Sequence, residues 1–387
     1  MNPQGFFPEP PYPQNPLRPT IMEVDLGAMK HNLASLRSHC PNSKIMAVVK
    51  ANAYGHGLIP CAYHLERLGI DYFGVAFLEE GIALRSAGIR TPILVFGGVL
   101  GSEVAHFIEH DLDITASSID KLSGIDRVAH ELGRKARVHL KIDTGMERIG
   151  VHSYSAASFL AQAKEVKNCE ILGIFSHLAR AEEPDLSFTR KQLEIFLNTA
   201  DEFRTPDGKR PLLHIANTAA LIRSSEFHLD MVRPGLGIYG VYPDDALSGG
   251  DLDLRPVMTL KSKVVFFKVV KQGAGVSYGH RWHAPCDTRA VTVGIGYGDG
   301  FFRRLSNIGS VIIRGNKKPI VGSVCMDQFM VDLGPSGESY VGDDVVLIGS
   351  QGDQQITASE IAQLIDTVPH EVLTATNLRV PRRYIGG

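Results

Sequence analysis

Two hydrophobic rhythms divide the chain. Between residues 45 and 232, short continuous apolar runs alternate with stretches whose apolar positions recur every three or four residues. The runs are 45–49, 72–75, 92–96, 112–115, 136–142, 171–175, 212–215 and 229–232, eight in all. Helical spacing fills 78–86, 102–110, 118–132, 153–164 and 186–203, the last opened by the helix-start pair Pro184-Asp185. Strands that are apolar on both faces need cover on both, and crossover helices supply it, so the pattern predicts a parallel sheet. Eight such units predict a (β/α)8 barrel, with a doubly wound open sheet as the competing arrangement.

The rhythm changes after Gly249-Gly250. Strand-like segments at 258–270, 290–295, 310–314, 329–333 and 344–349 follow one another, broken by glycine-containing turns, until helical spacing returns at 358–366. This predicts a mainly β second domain over 255–387, after a barrel domain over 20–250. Residues 20–25 also alternate like a strand, and the second domain is a possible home for them. Ahead of both lies an extension, residues 1–19, where seven of the 21 prolines fall within the first 20 residues. Such a stretch favours polyproline II and reads as a disordered tail.

Composition narrows the classes. In 387 residues, Lys+Arg 40 against Asp+Glu 42 leaves a net charge of −2, which offers no basic surplus for nucleic acid or an anionic membrane. The apolar runs are far too short to span a bilayer. Cys40, Cys61, Cys169, Cys286 and Cys325 are odd in number and form no C-x-x-C pair, so neither a disulfide framework nor a structural zinc site is indicated. With no secretory signal pattern, the expected location is the cytoplasm. His106 and His110 have i,i+4 spacing but lack a third ligand, and no metal is expected.

In a barrel of this kind the chemistry sits just past the strand ends. The first run ends in Lys50, whose stem would lie in an apolar wall; desolvation disfavours its ammonium, as an imine-forming lysine requires. Later ends bring Lys141, Asp143 and Arg148, then Ser176-His177, Asn217-Thr218 and Arg233. The segment Gly235-Leu-Gly-Ile-Tyr-Gly240 matches G-x-G-x-x-G, but it closes a βα unit rather than opening one. It makes better sense as a phosphate cradle after the last two strands, with Thr218 adding a hydroxyl. An imine-capable lysine facing a phosphate grip fits pyridoxal 5′-phosphate (PLP).

The chain resembles the bacterial alanine racemases. The resemblance rests on Ala47-Val-Val-Lys-Ala-Asn-Ala-Tyr-Gly-His-Gly57, Lys141-Ile-Asp-Thr-Gly-Met-Glu-Arg-Ile-Gly150, Asp230-Met-Val-Arg-Pro-Gly235, Val276-Ser-Tyr-Gly279, Gly294-Ile-Gly-Tyr-Gly-Asp-Gly300 and Ser323-Val-Cys-Met-Asp-Gln328, in that order. It implies a PLP-binding barrel with a β domain, assembled as a homodimer with shared sites, that interconverts L- and D-alanine for peptidoglycan precursors. By the same resemblance Lys50 attaches the cofactor, and Tyr54, Asn217, Thr218, Gly235 and Leu236 surround its phosphate side. His177 lies against its ring, Arg233 faces its ring nitrogen, and Arg148 reaches its O3′ and the substrate carboxylate. Lys141, carbamylated in many members, orients Arg148. Tyr278 of the second chain acts as a base, with Met326 and Tyr297 lining the substrate side.

Inversion needs a proton removed on one face and returned on the other, so two bases are expected: Lys50 for the D-isomer and Tyr278 for the L-isomer. Several positions depart from the family pattern: Asn52 for Asp, Glu147 for Gly, His370 for Tyr, Leu378 for Tyr and Thr218 for Ser. Two other functions compete: a PLP carrier without turnover, disfavoured by the β domain bearing Tyr278, and a PLP decarboxylase, disfavoured by Arg148.

Overall fold

A computed structural model describes residues 17–200, 203–248, 250 and 252–387. Eight parallel strands run in the order Met231–Val232, Lys44–Val48, Tyr72–Val75, Ile93–Val95, Asp113–Ala116, Ala136–Asp143, Cys169–Phe175 and Leu212–His214. The ring nearly closes: the Asp230 N–H donates to the Leu213 carbonyl at 3.1 Å, and the Arg233 N–H to that of Ala216 at 3.0 Å. This is the (β/α)8 arrangement that the apolar runs predict. The strand Met231–Val232 is shorter than its run 229–232, and beside it the Asp230 carboxylate accepts from the Leu213 N–H at 2.7 Å. Of the proline-rich extension, all but residues 17–19 lies outside the described residues.

Inside the barrel, Met46, Leu94, Phe175, Met231 and Tyr72 pack together below the catalytic end. Among the helices that escape the periodicity are Leu26–His39 and Leu58–Arg67. Leu26–His39 is capped by Asp25, which accepts from the Ala28 N–H, and its buried face is interrupted by Asn32. That amide donates to the Ile238 and Arg255 carbonyls, so a polar residue occupies a core position. Leu58–Arg67 carries Pro60 in its first turn, where no intrahelical donor is lost.

The second sheet has nine strands in the order Gln354–Ile356, Asp344–Gln351, Ser310–Ile313, Asn316–Val321, Phe329–Gly334, Thr288–Val293, Met258–Val270, Ile21–Asp25 and Arg382–Ile385. The long strand Met258–Val270 changes partner at an irregularity near Val264. Its first half pairs with Asp344–Gln351 and its second with Thr288–Val293, which curls the sheet into a barrel of its own. Ile21–Asp25 lies antiparallel to Met258–Val270 and parallel to Arg382–Ile385, so the first strand of the chain belongs to the second sheet. Among the described residues no helix is long and apolar enough to cross a membrane.

Arg18 fastens this first strand. Its guanidinium grips the fully buried Asp299 through two 2.6 Å bonds and donates to the Gly294 carbonyl at 2.8 Å. Asp299 also accepts from the Gly296 N–H at 3.0 Å and lies 3.4 Å from Arg379. Asp299→Ala would leave two guanidiniums facing each other and one amide unpaired. We expect a loss of about 3 kcal/mol in urea unfolding; a loss below about 0.5 kcal/mol would mean that the cluster behaves like an exposed ion pair.

Candidate active site

Lys50 follows the first barrel strand and stands at the start of an unusual turn. Ala51, Asn52, Ala53 and Tyr54 all adopt left-handed φ values, between 51 and 56°. For residues with a Cβ this conformation costs roughly 1–2 kcal/mol each, so the surroundings must enforce it. Glu80 does so from the helix Leu78–Ser86, after the second barrel strand: its carboxylate accepts from the Ala51 N–H at 2.6 Å and the Ala76 N–H at 2.8 Å. Asn52, among the residue types that tolerate this region best, accepts from the Leu58 N–H at 2.8 Å and caps the following helix. The departure at Asn52 thus keeps an acceptor where the backbone needs one.

The turn aims Lys50 and Tyr54 into a cavity of about 390 Å³ at the carboxyl end of the barrel. Lys141, Arg148, His177, Asn217, Thr218 and Arg233 line the same space. Among the described residues lining it, Glu182 alone is acidic. Burial, reinforced by Arg148, lowers the Lys50 ammonium below its usual range, with Glu80 opposing the shift. Lys141 is pushed further down by burial and by Arg233 and Arg148, against Asp143, and its Nζ sits 4.4 Å above the Phe175 ring. His177 is held neutral by burial and by the cations around it, Arg233 first. Burial brings Arg233 down to about 9, which still leaves it charged at neutral pH. Its Nη2 donates to the Ser176 carbonyl at 2.8 Å and meets His177 Nδ1 at 3.2 Å.

On the other side, Thr218 Oγ1 accepts from the Gly235 and Gly237 N–H groups at 3.0 and 3.3 Å. Asn217 caps the short helix Thr218–Arg223 by accepting from the Ala220 N–H at 3.0 Å. Gly235 is required sterically, because a Cβ there would overlap the Tyr54 hydroxyl. Tyr54 stacks on Tyr239, whose hydroxyl donates to the Val48 carbonyl at 3.0 Å. The result is a buried corner of glycine backbone and hydroxyls suited to a phosphate, facing an amine that burial favours in its neutral form.

Family profiles described as alanine racemase N-terminal and C-terminal domains match residues 24–243 and 257–384. The alanine racemase of Halothermothrix orenii is 41% identical over 374 residues, covering 96% of this chain and 98% of its own. The crystal structure of alanine racemase from D-cycloserine-producing Streptomyces lavendulae superposes with a TM-score of 0.92 at 36% identity, over 96% of this chain and 98% of that one. The Bacillus anthracis alanine racemase with bound L-Ala-P gives 0.88 at 34% identity, over 96% of each chain. The chain belongs to the alanine racemase family.

That membership makes the protein an amino-acid racemase and directs attention to the family residues found elsewhere on the chain. Tyr278, Tyr297 and Met326 line no part of the Lys50 cavity of their own chain. They are exposed on the β domain, at 75%, 42% and 53% respectively. Tyr278 sits on a tense turn, with Ser277 at φ 64° and Gly279 at φ 73°. Ser277 Oγ donates to the Ser323 carbonyl at 2.7 Å, and Ser323 Oγ to that of Tyr278 at 2.9 Å. Tyr297, in the short 3-10 turn Tyr297–Asp299, and Met326, in the loop before Phe329–Gly334, are tied together by the Gly298 N–H, which donates to the Met326 carbonyl at 2.8 Å.

Of the departures, His370 lines the Lys50 cavity with its ring 5.8 Å from that of Tyr54, and burial together with Lys50 lowers its pKa. Leu378 is exposed and outside the cavity. Sequence reasoning assigns no site role to Glu80, Phe175 or Tyr239. The acidic residue that a helix start prefers is a usable signal for the first; Phe175 ends the run 171–175 and Tyr239 lies within Gly235–Gly240, but neither position marks a contact with the site.

The charge environment of Lys50 is directly testable. Reductive labelling of its amine by an aldehyde in the cofactor-free protein should titrate below the surface lysines. Arg148→Leu removes a positive neighbour and should raise that midpoint; an unchanged midpoint would mean that Arg148 does not act on the amine.

Proposed function

We propose that the protein interconverts L- and D-alanine with PLP as cofactor, at sites completed by a second copy of the chain. The observation that carries this reading is the meeting, in one cavity, of a desolvated Lys50 amine, a carboxylate-poor ring of cations and a glycine cradle with no room for a Cβ. Lys50 would hold the cofactor, with Tyr54, Thr218, Gly235 and Leu236 around its phosphate, Asn217 beside them, His177 against its ring and Arg233 at its ring nitrogen. Bound there, the cofactor would delocalise the electron pair left on the substrate Cα when its proton departs.

The protein groups then have separable tasks. Arg148 orients the substrate carboxylate by charge-assisted hydrogen bonds. The neutral Lys50 Nζ takes or returns the Cα proton on one face, acting on the D-isomer. The Tyr278 hydroxyl of a second chain acts on the other face, on the L-isomer. Tyr297 and Met326 of that chain would close the substrate side and exclude water. Lys141 is suited to carbamylation: its neutral amine can add carbon dioxide, releasing a proton. The resulting anion would lie among Arg148, Arg233 and His177, where negative charge is scarce.

Dimerisation is supported by the apolar side chains Val265, Phe266, Phe267 and Val269, all exposed on the same β domain as Tyr278. The five cysteines are unpaired, which suits a reducing cytoplasm, where D-alanine would feed peptidoglycan precursors.

The circular dichroism of L-alanine incubated with the PLP-loaded protein should decay to zero; a signal that persists would remove alanine racemisation. Lys50→Ala should lose the visible absorbance of the lysine-bound cofactor, whereas Tyr278→Phe should keep it and lose turnover. Mixed dimers of the two variants should regain part of the activity, because one of the two sites in each would carry both bases. Absence of rescue after verified subunit exchange would count against a shared site.

A further inference from the structure

Beneath Arg233, the barrel interior holds a row of buried polar side chains that the steps above leave unused. Arg233 Nη1 lies 3.1 Å from His214 Nδ1. His214 Nε2 lies 3.0 Å from His139 Nδ1. His139 Nε2 faces Asp113 Oδ2 at 3.5 Å. Asp113 in turn accepts from the Tyr72 hydroxyl at 2.7 Å and pairs with Arg137 Nε at 2.8 Å. His214, His139 and Asp113 are completely buried.

The row is made possible by a missing side chain. His139 and His214 stand on strands separated by Cys169–Phe175, where Gly173 pairs directly with His139. A Cβ on Gly173 would overlap the His139 ring. Glycine at this position therefore lets the two imidazoles meet across an intervening strand. Phe175 of that strand stacks on His214 with ring centroids 4.9 Å apart and planes 3° from parallel, fixing the plane of the second imidazole.

Donor counting gives the row a direction. A guanidinium can only donate, so His214 Nδ1 must accept and its single proton resides on Nε2. That N–H donates to His139 Nδ1, which places the His139 proton on Nε2, pointing at a carboxylate that can only accept. The two hydrogen bonds run the same way, inward from the cation, and the His139 N–H then faces the Asp113 carboxylate across a 3.5 Å charge contact rather than a hydrogen bond; an imidazole with one accepting nitrogen is neutral. Hydrogen bonds aligned in series polarise one another. The row therefore presents a polarised imidazole acceptor to a guanidinium that, among the described residues, has no carboxylate partner of its own, with the Asp113–Arg137 pair at its far end.

We propose that Asp113, His139 and His214 are positioning residues that lock Arg233 in one orientation and charge state at the cofactor's ring nitrogen, by holding both histidines in the Nε2–H tautomer. This rests on the reading of the site given above. The groups facing the two rings are all accounted for: Arg233 and Lys141 act on His214, Asp113 and Tyr72 flank His139, and Arg137 acts through Asp113.

One measurement needs neither a variant nor turnover. In ¹⁵N-histidine NMR of the PLP-loaded protein, the His139 and His214 signals, assigned by their loss in single variants, should both show neutral Nε2–H rings. They should stay so between about pH 6 and 8.5, a window in which an ordinary histidine titrates. A ring protonated on Nδ1, or one that titrates in that window, overturns the proposal.

A second measurement separates the relay from simple space-filling. His139→Gln keeps an acceptor for His214 and a donor for Asp113, whereas His139→Phe keeps the ring volume but neither function. The relay predicts that the Phe variant retains cofactor yet loses about tenfold in kcat with little change in KM, while the Gln variant recovers most of that loss. Space-filling predicts the opposite order, and that order would overturn the proposal. If the unaltered protein showed no racemisation, the proposed function would fail, whereas the NMR result would still decide the tautomers.

Discussion

Positive charge taken out of water is the constraint on which the rest of the structure depends. Lys50, Lys141 and Arg233 converge on one cavity, with Arg148 at its mouth. Removing several like charges from solvent is expensive when no counter-ion accompanies them. The fold meets that expense in different ways for different groups. The two lysines shift toward their neutral forms, and His177 and His214 remain neutral beside them. Arg233, which cannot readily give up its proton, receives carbonyl oxygens from Ser176 and Ile215, two imidazole acceptors and the face of Phe175. A site prepared in this way favours an anionic occupant, because the phosphate and carboxylate charges would bind beside buried cations that, among the described residues, lack carboxylate partners.

The second constraint is backbone strain at Lys50, and here the two domains act together. Four left-handed residues would relax unless held at both ends. Glu80 and Asn52 hold the turn from within the barrel domain. From the β domain, Arg382 Nε donates to the Gly55 carbonyl and the Tyr384 hydroxyl to the His56 carbonyl, each at 3.1 Å. Those two residues belong to the strand that pairs with Ile21–Asp25. The crossing of the first strand into the second sheet is thus tied to the geometry of the lysine: it helps to place the C-terminal strand against the turn that carries Lys50.

How much of this the sequence discloses depends on the range of each interaction. Apolar runs report burial on both faces, which is a property of each strand, so the eight barrel strands were legible. The barrel rule converts a strand end into a location, which puts Lys50, Lys141, His177, Thr218, Arg233 and Gly235 on one rim, and the structure places all six around one cavity. Leu26–His39 was not found, because Asn32 interrupts its apolar face to satisfy carbonyls more than 200 positions away in sequence. The strands Asn316–Val321 and Arg382–Ile385 escaped for a similar reason: their lysines, prolines and arginines mask the alternation, and pairing partners distant in sequence decide their fate. The left-handed turn was hidden too. Asn52 and the flanking glycines permit such a conformation, but nothing local requires it. Glu80, reaching in from the helix Leu78–Ser86, supplies the requirement.

The Tyr278 turn brings these arguments together. A side chain three-quarters exposed ordinarily needs no elaborate support, yet this one rests on a backbone with three positive-φ positions, Ser277 before it and Gly279 and His280 after it. Gly275 and Gly322 make room for it: a Cβ on the first would overlap the His280 ring, and on the second the Val276 carbonyl and Ser277. Strain of this kind is retained where the position of one group matters more than the local cost. Within a single chain, Tyr278 has nothing to act upon. On the proposed reading, the turn presents a phenol to a cavity that another chain supplies, while the barrel of this chain offers its own amine in return. Rigidity at an exposed residue then has a physical purpose: the two bases stand on different subunits, and only a stiff mounting on each can set them on opposite sides of one carbon.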